Sequence, residues 1–435
     1  WQDFASYAFN KSHAVCYAYL AYITGYLKAN YSAEYMCAQT SSEIGNFDKM
    51  PGFVAESIAM GFKMLPPDVN KSIEKFVPEE TNGKVAIRYG LGGIKGVGML
   101  AANAIVEERE KNGPYKSFND FISRTICSGS LNSRALEALI RTGGVDGLGI
   151  HRAAALADLP NAISRANANK RDIESGQGCL FGSWDDAPTT ETNIPEIPEM
   201  RPLEIMLAER ELLGVFLSGH PLTINKKLTS SYKTIDDLNT SLEKLADGAS
   251  TSLNLCLFVL SVDKKPSKNK NSITIYITAE DKNGQRMEFP YFVSEQDILH
   301  AEDILPNTAY VFNLRLNNWQ GKRSKRVNTF IRVDQIPTKL ASKLFIRIEE
   351  SDKDAFNKID KIKDLLLSHP GYSEVNLVVR LDNNERIYIS TPEKYNAYIH
   401  DELLNALNEL VGEDNVDFDL KPLVANQKQG SFGTR

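Results

Sequence analysis

The chain runs to 435 residues, 42% of them hydrophobic and 24% charged, with a formal net charge of −6. At roughly 100–200 residues per domain, that length excludes a single ordinary core and points to about three or four; the composition excludes disorder as the main state. The acidic balance excludes a uniformly basic nucleic-acid surface, so any phosphate binding must rest on local patches of Lys and Arg.

The five cysteines, Cys16, Cys37, Cys127, Cys179 and Cys256, form no CxxC pair and have no His-rich partner segment. Neither a metal site nor a disulfide framework is expected, and a reducing cytoplasm fits best. The most apolar run, Ala14 to Leu27, is Tyr-rich and shorter than the ~20 residues of a membrane span. No basic flank or cleavage site marks the N-terminus, so no membrane or export segment is expected. The chain opens on Trp1 in what reads as the middle of a folded region, which suggests a fragment.

Helical period covers His13 to about Ala29, with Ser12 as a good N-cap, then Ala33 to Thr40 and Lys49 to Met60, until Pro66-Pro67 stops the run. A short strand is expected at Val85 to Tyr89, followed by Gly90, Gly92, Gly93, Gly96 and Gly98 and a helix from Met99 to Lys111. Short helices follow at Phe118 to Arg124, Ser133 to Thr142 and His151 to Leu159. Residues 160–200, polar and with prolines at 188, 195 and 198, read as a linker. A helix from Arg201 to Phe216 comes next.

From Leu253 to Ile336 the period switches to two, with strands expected at Leu253–Val262, Ser272–Ala279, Arg286–Phe292, Ala309–Asn318 and Lys325–Val333, a spacing that suggests a small barrel. The last segment reads β-α-β-β-α-β: strands near Lys343–Ile348, Glu374–Arg380 and Arg386–Ile389, helices near Asp354–Leu367 and Pro392–Val411, and a short terminal strand before a polar tail. The fold class is multidomain α+β.

Ile94-Lys95-Gly96-Val97-Gly98-Met99-Leu100-Ala101 has the shape of a helix-hairpin-helix turn. Its glycines let the backbone approach a phosphate, and the following helix offers free N–H groups and the positive end of its dipole. Lys95, Gly96, Val97 and Gly98 are therefore candidates for a duplex backbone read without sequence; the competing reading is a glycine-rich turn between packed helices. A second hairpin, Gly143-Gly144-Val145-Asp146-Gly147-Leu148-Gly149, lies about fifty residues on and makes a tandem pair. Gly147 and Gly149, flanked by Arg141 and Arg152, are further duplex candidates, the arginines having ordinary surface charge as their alternative.

In the barrel segment Lys264, Lys265, Lys268 and Lys270 form one basic run, and Lys322, Arg323, Lys325 and Arg326 a second just after Trp319. Basic groups beside an aromatic ring suit single-stranded nucleic acid; solvated loop charge is the alternative. Gln177-Gly178-Cys179-Leu180-Phe181 places two apolar residues in the linker, a pattern suited to a peptide that docks in a partner's pocket, with Leu180 and Phe181 as anchors and Gln177 orienting them. Lys11, Ser12 and His13 form a polar cluster at a helix start that could meet phosphate, or serve as a cap and surface charge. No catalytic or metal site emerges: Asp417 and Asp419 have no third carboxylate and read as solvent-facing strand residues.

Taken in order, Tyr7-Ala8-Phe9-Asn10-Lys11-Ser12-His13-Ala14, Tyr26-Leu27-Lys28-Ala29, Leu65-Pro66-Pro67-Asp68-Val69-Asn70, Gly90 to Gly98, Leu131-Asn132-Ser133-Arg134-Ala135-Leu136 and Leu217-Ser218-Gly219-His220-Pro221-Leu222 resemble the bacterial DNA polymerase III α subunit, a replicative C-family polymerase, over residues 1 to about 222. The resemblance implies the edge of the polymerase fingers at 1–78, with Lys11, Ser12 and His13 on the nucleotide and template side. It implies a tandem helix-hairpin-helix module on duplex DNA at 79–165 and a linker with a sliding-clamp-binding peptide (Gln177, Leu180, Phe181) and a helix at 166–250. An OB-fold near single-stranded template at 251–338, a small α/β domain reaching the clamp-loader τ subunit at 343–420, and a tail at 421–435 complete it. Gly144-Val145 departs from the more usual Ala-Phe of the second hairpin, and the OB segment diverges.

The family's catalytic carboxylates, which hold Mg2+, belong to an upstream palm, so this chain alone is expected to bind DNA and clamp but to incorporate nothing. Two alternatives are weighed. A helix-hairpin-helix DNA glycosylase would use Asp120 some twenty residues beyond the hairpin, but Met99-Leu100 stand where its Lys would be. A non-enzymatic adaptor between clamp and DNA is the other.

Overall fold

In the computed structural model the described residues are 11–174, 195–224, 226–266, 272–294, 304–383 and 385–424. The candidate clamp peptide and Lys268 and Lys270 lie outside them. The chain divides into two compact units, Trp1–His220 and Pro221–Arg435.

In the first unit, helices α1 (Lys11–Asn30), α2 (Ser32–Ser42) and α3 (Met50–Ala59) lead to strands β1 (Lys63–Leu65), β2 (Val77–Thr81) and β3 (Lys84–Arg88). These strands form a small sheet of order β1-β3-β2, β1 parallel and β2 antiparallel to β3. Helices α4 (Gly98–Asn112), α5 (Phe118–Cys127), α6 (Ser133–Arg141), α7 (Arg152–Glu174) and α8 (Pro202–Leu213) follow.

Local chemistry sets several boundaries. Ser117 accepts a hydrogen bond from Asp120 N at the start of α5, and Asn132 one from Ala135 N at the start of α6, each satisfying an orphan donor of its helix. Gly214, left-handed at φ +81°, ends α8. One core joins these elements: Met36 and Met50, Ile87 and Tyr89, Ile94, and Phe121 are all fully buried in it.

Two expectations are corrected in this unit. Lys11 and Ser12 are already helical, so Ser12 is inside α1 and is not its N-cap. Residues 160–174 are not linker: α7 continues through Pro160 to Glu174 because Ala162 and Ala166 carry its buried face onto the core.

In the second unit, short helices α9 (Lys226–Thr229) and α10 (Ile235–Glu243) precede strands β4 (Ser250–Pro266), β5 (Ser272–Glu280), β6 (Arg286–Ser294), β7 (Thr308–Trp319) and β8 (Lys322–Arg332). These make an antiparallel sheet of order β6-β5-β4-β7-β8. Helix α11 (Ile336–Leu340) leads to β9 (Ala341–Glu349), α12 (Ala355–Ser368), β10 (Pro370–Arg380), β11 (Arg386–Ser390), α13 (Asp401–Val411) and β12 (Val416–Leu420). The second sheet has the order β11-β10-β9-β12, and α12 and α13 share its core through Ile362, Leu366, Leu403 and Leu407.

The barrel is corrected to an open sheet: among the described residues no ladder joins β6 to β8. The two edges meet through side chains, the Tyr291 and Phe330 rings packing edge-on with centroids 5.6 Å apart. The long helix expected at Pro392–Val411 is also divided, into a 3-10 turn at Glu393–Tyr395 and α13, with His400 at the N-cap of α13.

Candidate nucleic-acid interface

The first hairpin is built by packing on one side and exposure on the other. Gly90 sits against the main chain of Lys75, where a Cβ would come within 2.5 Å of its carbonyl carbon, and Ile94 is fully buried. Lys95 N donates to Leu212 O at 2.9 Å. Beyond this anchor the chain turns outward through Gly96 (φ +100°) and Gly98 (φ +75°), a left-handed backbone that a residue with a Cβ rarely adopts.

Val97 is buried as the apolar plug between them, while Lys95, Gly96 and Gly98 face solvent. Among the described residues no side chain caps α4, and no acidic residue stands in its first turn. The orphan N–H groups and positive dipole end of a fifteen-residue helix are therefore bare.

Two cations flank those amides. Lys95 Nζ lies 6.0 Å from the centroid of the Phe47 ring. Arg134, in the first turn of α6, is exposed and its Nε comes within 3.8 Å of the position a Cβ on Gly96 would take. Its proximity was not legible as a site residue, because it arises from the packing of α6 beside the turn.

The second hairpin differs in chemistry. Arg152 is turned inward, its side chain 8% exposed. It donates from Nη2 to Asp146 Oδ2 at 2.8 Å and lies 3.5 Å from Glu209 Oε1. Burial opposes its charge, but hydrogen bonding to Asp146 and the charges of Asp146 and Glu209 more than compensate and hold the guanidinium above its ordinary range. Arg152 is thus a buried ion-pair partner, and its expected surface contact with phosphate is corrected.

The helix that follows this hairpin is already occupied by an anion. Glu199 accepts hydrogen bonds from Arg152 N at 3.0 Å and Ala153 N at 3.1 Å, covering the start of α7, and His151 Nδ1 stands 3.3 Å away. Burial would raise the Glu199 carboxyl, yet the main-chain N–H groups of Met200, Ala153 and Arg152 outweigh it and the pKa falls below the usual value. Gly147 and Gly149 are exposed, Gly149 at φ +75°, but Asp68 Oδ2 would be 3.2 Å from a Cβ on Gly147. Arg141 is held by Glu211 at 2.6 Å and Glu137 at 3.9 Å. Sequence spacing makes the two hairpins look alike; the carboxylates that separate them come from distant segments.

Lys11 and His13 are exposed on α1, with His13 and Tyr17 in ring contact at 4.5 Å. Asp120 accepts from Lys116 N at 2.8 Å and pairs with Arg124 at 3.4 Å, a structural use at the start of α5.

In the second unit the two basic runs do not flank one groove. Lys264 and Lys265 pair with Ile275 and Thr274 near the end of β4, whereas Lys322 to Arg326 pair with β7 residues that face the opposite end of this seventeen-residue strand. Strand alternation divides the second run further. Trp319 lies opposite Lys322 and Arg315 opposite Arg326, so these four share a face, with Trp319 67% exposed. Arg323 and Lys325 take the other face: Arg323 donates to Glu243 O at 2.9 Å, and burial pushes Lys325 below its ordinary pKa against the attraction of Glu288. Lys265 Nζ lies 5.0 Å from the Tyr276 ring centroid. Arg315 is the member that the sequence motif omitted.

Among the described residues, one group of His, Cys, Asp or Glu donors converges closely, His369, His400 and Glu402, and carboxylates do not gather in threes. Paired catalytic Mg2+ needs such carboxylates, so the described residues do not fit it. No helix among them is long and apolar enough to cross a membrane.

The helix-hairpin-helix motif family matches residues 61–155, the span that holds both hairpins. The chain is 34% identical over 403 residues to DNA polymerase III subunit alpha of Xylella fastidiosa, covering 88% of this chain and 32% of that protein. It is 33% identical over 426 residues to that of Vibrio cholerae, covering 96% and 35%. The chain is a homologue of DNA polymerase III subunit alpha. The Escherichia coli α subunit is 31% identical over 429 residues, again across 96% of this chain and 35% of the relative. The chain spans about a third of the length of the DNA polymerase III α subunits it matches.

Proposed function

We propose that this chain is the DNA-handling C-terminal portion of a replicative DNA polymerase, and that it grips duplex DNA through the first hairpin. The observation that carries the reading is the bare start of α4: exposed Gly96 and Gly98 amides, no capping side chain, no first-turn acid, and Lys95 and Arg134 on either side. Such a surface binds a phosphate by main-chain N–H donors and positive charge, and it does so without reading bases. The homology and the helix-hairpin-helix match support DNA as the source of that phosphate.

Further parts of the proposal follow the family resemblance. Trp319, Arg315, Lys322 and Arg326 on the open sheet supply a stacking ring among cations for single-stranded template. Gln177, Leu180 and Phe181 tether the chain to a sliding clamp, the C-terminal sheet meets the clamp-loader τ subunit, and Lys11 and His13 lie on the nucleotide side. Nucleotide addition and its Mg2+ belong to carboxylates elsewhere in the polymerase, and this chain alone adds no nucleotide.

The test is duplex binding measured against salt. Lys95→Ala and Arg134→Ala each reduce the slope of log K against log[salt] by about one and weaken binding to all sequences alike. Unchanged slopes in both variants would overturn the hairpin reading. A primer-extension assay on the chain alone tests the remainder: extension would sink the assignment of chemistry elsewhere.

A further inference from the structure

His369 is the C-cap of α12 and His400 the N-cap of α13, and a crossing of main chains brings them together. Tyr398 N donates to His369 O at 2.9 Å, and Gly371 N to Asn396 O at 3.0 Å. A Cβ at position 371 would lie 2.2 Å from Tyr398 N, so the crossing exists because residue 371 is glycine. It leaves the two imidazoles with centroids 4.9 Å apart.

Both rings are held by the same nitrogen. His369 Nδ1 is 2.9 Å from Leu365 O and 3.0 Å from Ser368 Oγ, whose hydroxyl donates to Leu365 O at 2.8 Å, and His400 Nδ1 is 3.0 Å from Tyr398 O. A carbonyl oxygen only accepts, so each Nδ1 donates and each neutral ring keeps its lone pair on Nε2. Metal-ligating histidines are oriented in this way, the second nitrogen donating to a carbonyl or carboxylate. Glu402, in the first turn of α13, places Oε2 3.7 Å from His400 Nε2. One ligand atom from each of the three residues lies within 4.8 Å of the other two.

We propose that His369, His400 and Glu402 form a binding site for a borderline divalent metal ion, with Zn2+ as its representative and water completing the coordination. Two imidazoles and one carboxylate suit such an ion, whereas Mg2+ and Ca2+ take oxygen ligands. Donors in a tetrahedral zinc site stand roughly 3.3–3.6 Å apart, so the set must close by roughly 1–1.5 Å. The Glu402 side chain, 81% exposed, is free to supply much of that movement. A bound ion pins the end of α12 to the start of α13.

The experiment is calorimetric titration of the full chain, without a polyhistidine tag, with Zn2+ in a Cys16→Ser background, because Cys16 is an exposed thiol that competes for the ion. One site is expected. Loss of even an outer partner of a metal site costs about 10–100-fold in affinity, so His369→Gln and His400→Gln should each weaken binding by at least about tenfold. His151→Gln, whose ring lies beside Glu199, leaves it unchanged. In the chain without histidine substitutions, imidazole NMR signals of His369 and His400 shift on Zn2+ addition while those of the other four of the six histidines stay. Zn2+ affinity in both variants unchanged from that of the parent chain, no measurable binding, or unmoved His369 and His400 signals would overturn the proposal.

Discussion

Glu199 caps the helix of the second hairpin, accepting the Arg152 amide hydrogen at 3.0 Å, in the position that a phosphate would take. The tandem repeat is thus chemically unequal: one hairpin presents bare amides, and the other presents amides already satisfied by a carboxylate.

Glu199→Gln should therefore strengthen duplex binding, since it removes a competing negative charge beside the second hairpin. It should also lower stability by about 0.3–1 kcal/mol at neutral pH, the worth of a charge at a helix N-terminus. The sign of the pH dependence follows from a folded pKa below the ordinary value: the stabilisation is complete above the ordinary carboxylate range and is lost as pH falls through the folded value. Urea denaturation of both proteins should show a gap at pH 7 that closes in acid. A gap independent of pH would count against the charge as its cause.

Arg152→Ala should destabilise the first unit by about 3–5 kcal/mol, because it strands a buried charge. Glu209 is fully buried and also accepts from Leu217 N at 2.9 Å and Ser218 N at 2.8 Å. Chemical denaturation measures the loss. A DNA-binding defect with unaltered stability would mean that the guanidinium reaches the surface.

Gly98→Ala meets no steric obstacle, since no atom lies within 4 Å of the added Cβ, yet it forces φ +75° on a residue that avoids it. A cost of about 1–2 kcal/mol is expected. Thermal melts and duplex titrations should fall together, and an unchanged melt with unchanged binding would show that the turn tolerates a side chain.

Trp319→Ala should weaken single-strand binding by about 1–3 kcal/mol if the exposed ring stacks a base. Arg315→Ala should reduce binding more than Lys325→Ala, because Lys325 faces away from Trp319 and is partly desolvated. Fluorescence titration with an oligonucleotide separates them; equal losses would reject the division of faces.

Periodicity made most helices legible, whereas caps did not: Ser12, read as a cap, lies inside α1, and the caps that form are Ser117 and Asn132, each bonded to the amide three residues on. The strands of the second unit and β3 were legible from alternation, while the short β1 and β2 were not expected. What stayed hidden depends on distant partners. The chain gives no sign that Arg152 turns inward, since Glu209 is far along the sequence, nor that Tyr291 and Phe330 meet between the unpaired β6 and β8. The helix was expected to end at Leu159 with linker beyond it, but Ala162 and Ala166 still find a core to enter, and tertiary burial outweighs the donor that Pro160 lacks.

That continuation gives α7 a reach as well as a face. At 1.5 Å per residue, its twenty-three residues place Glu174 about 33 Å along the axis from Arg152. Glu199 closes the first end of that rod through the Arg152 and Ala153 amides, so two residues only twenty-five apart in the sequence stand at opposite ends of the helix.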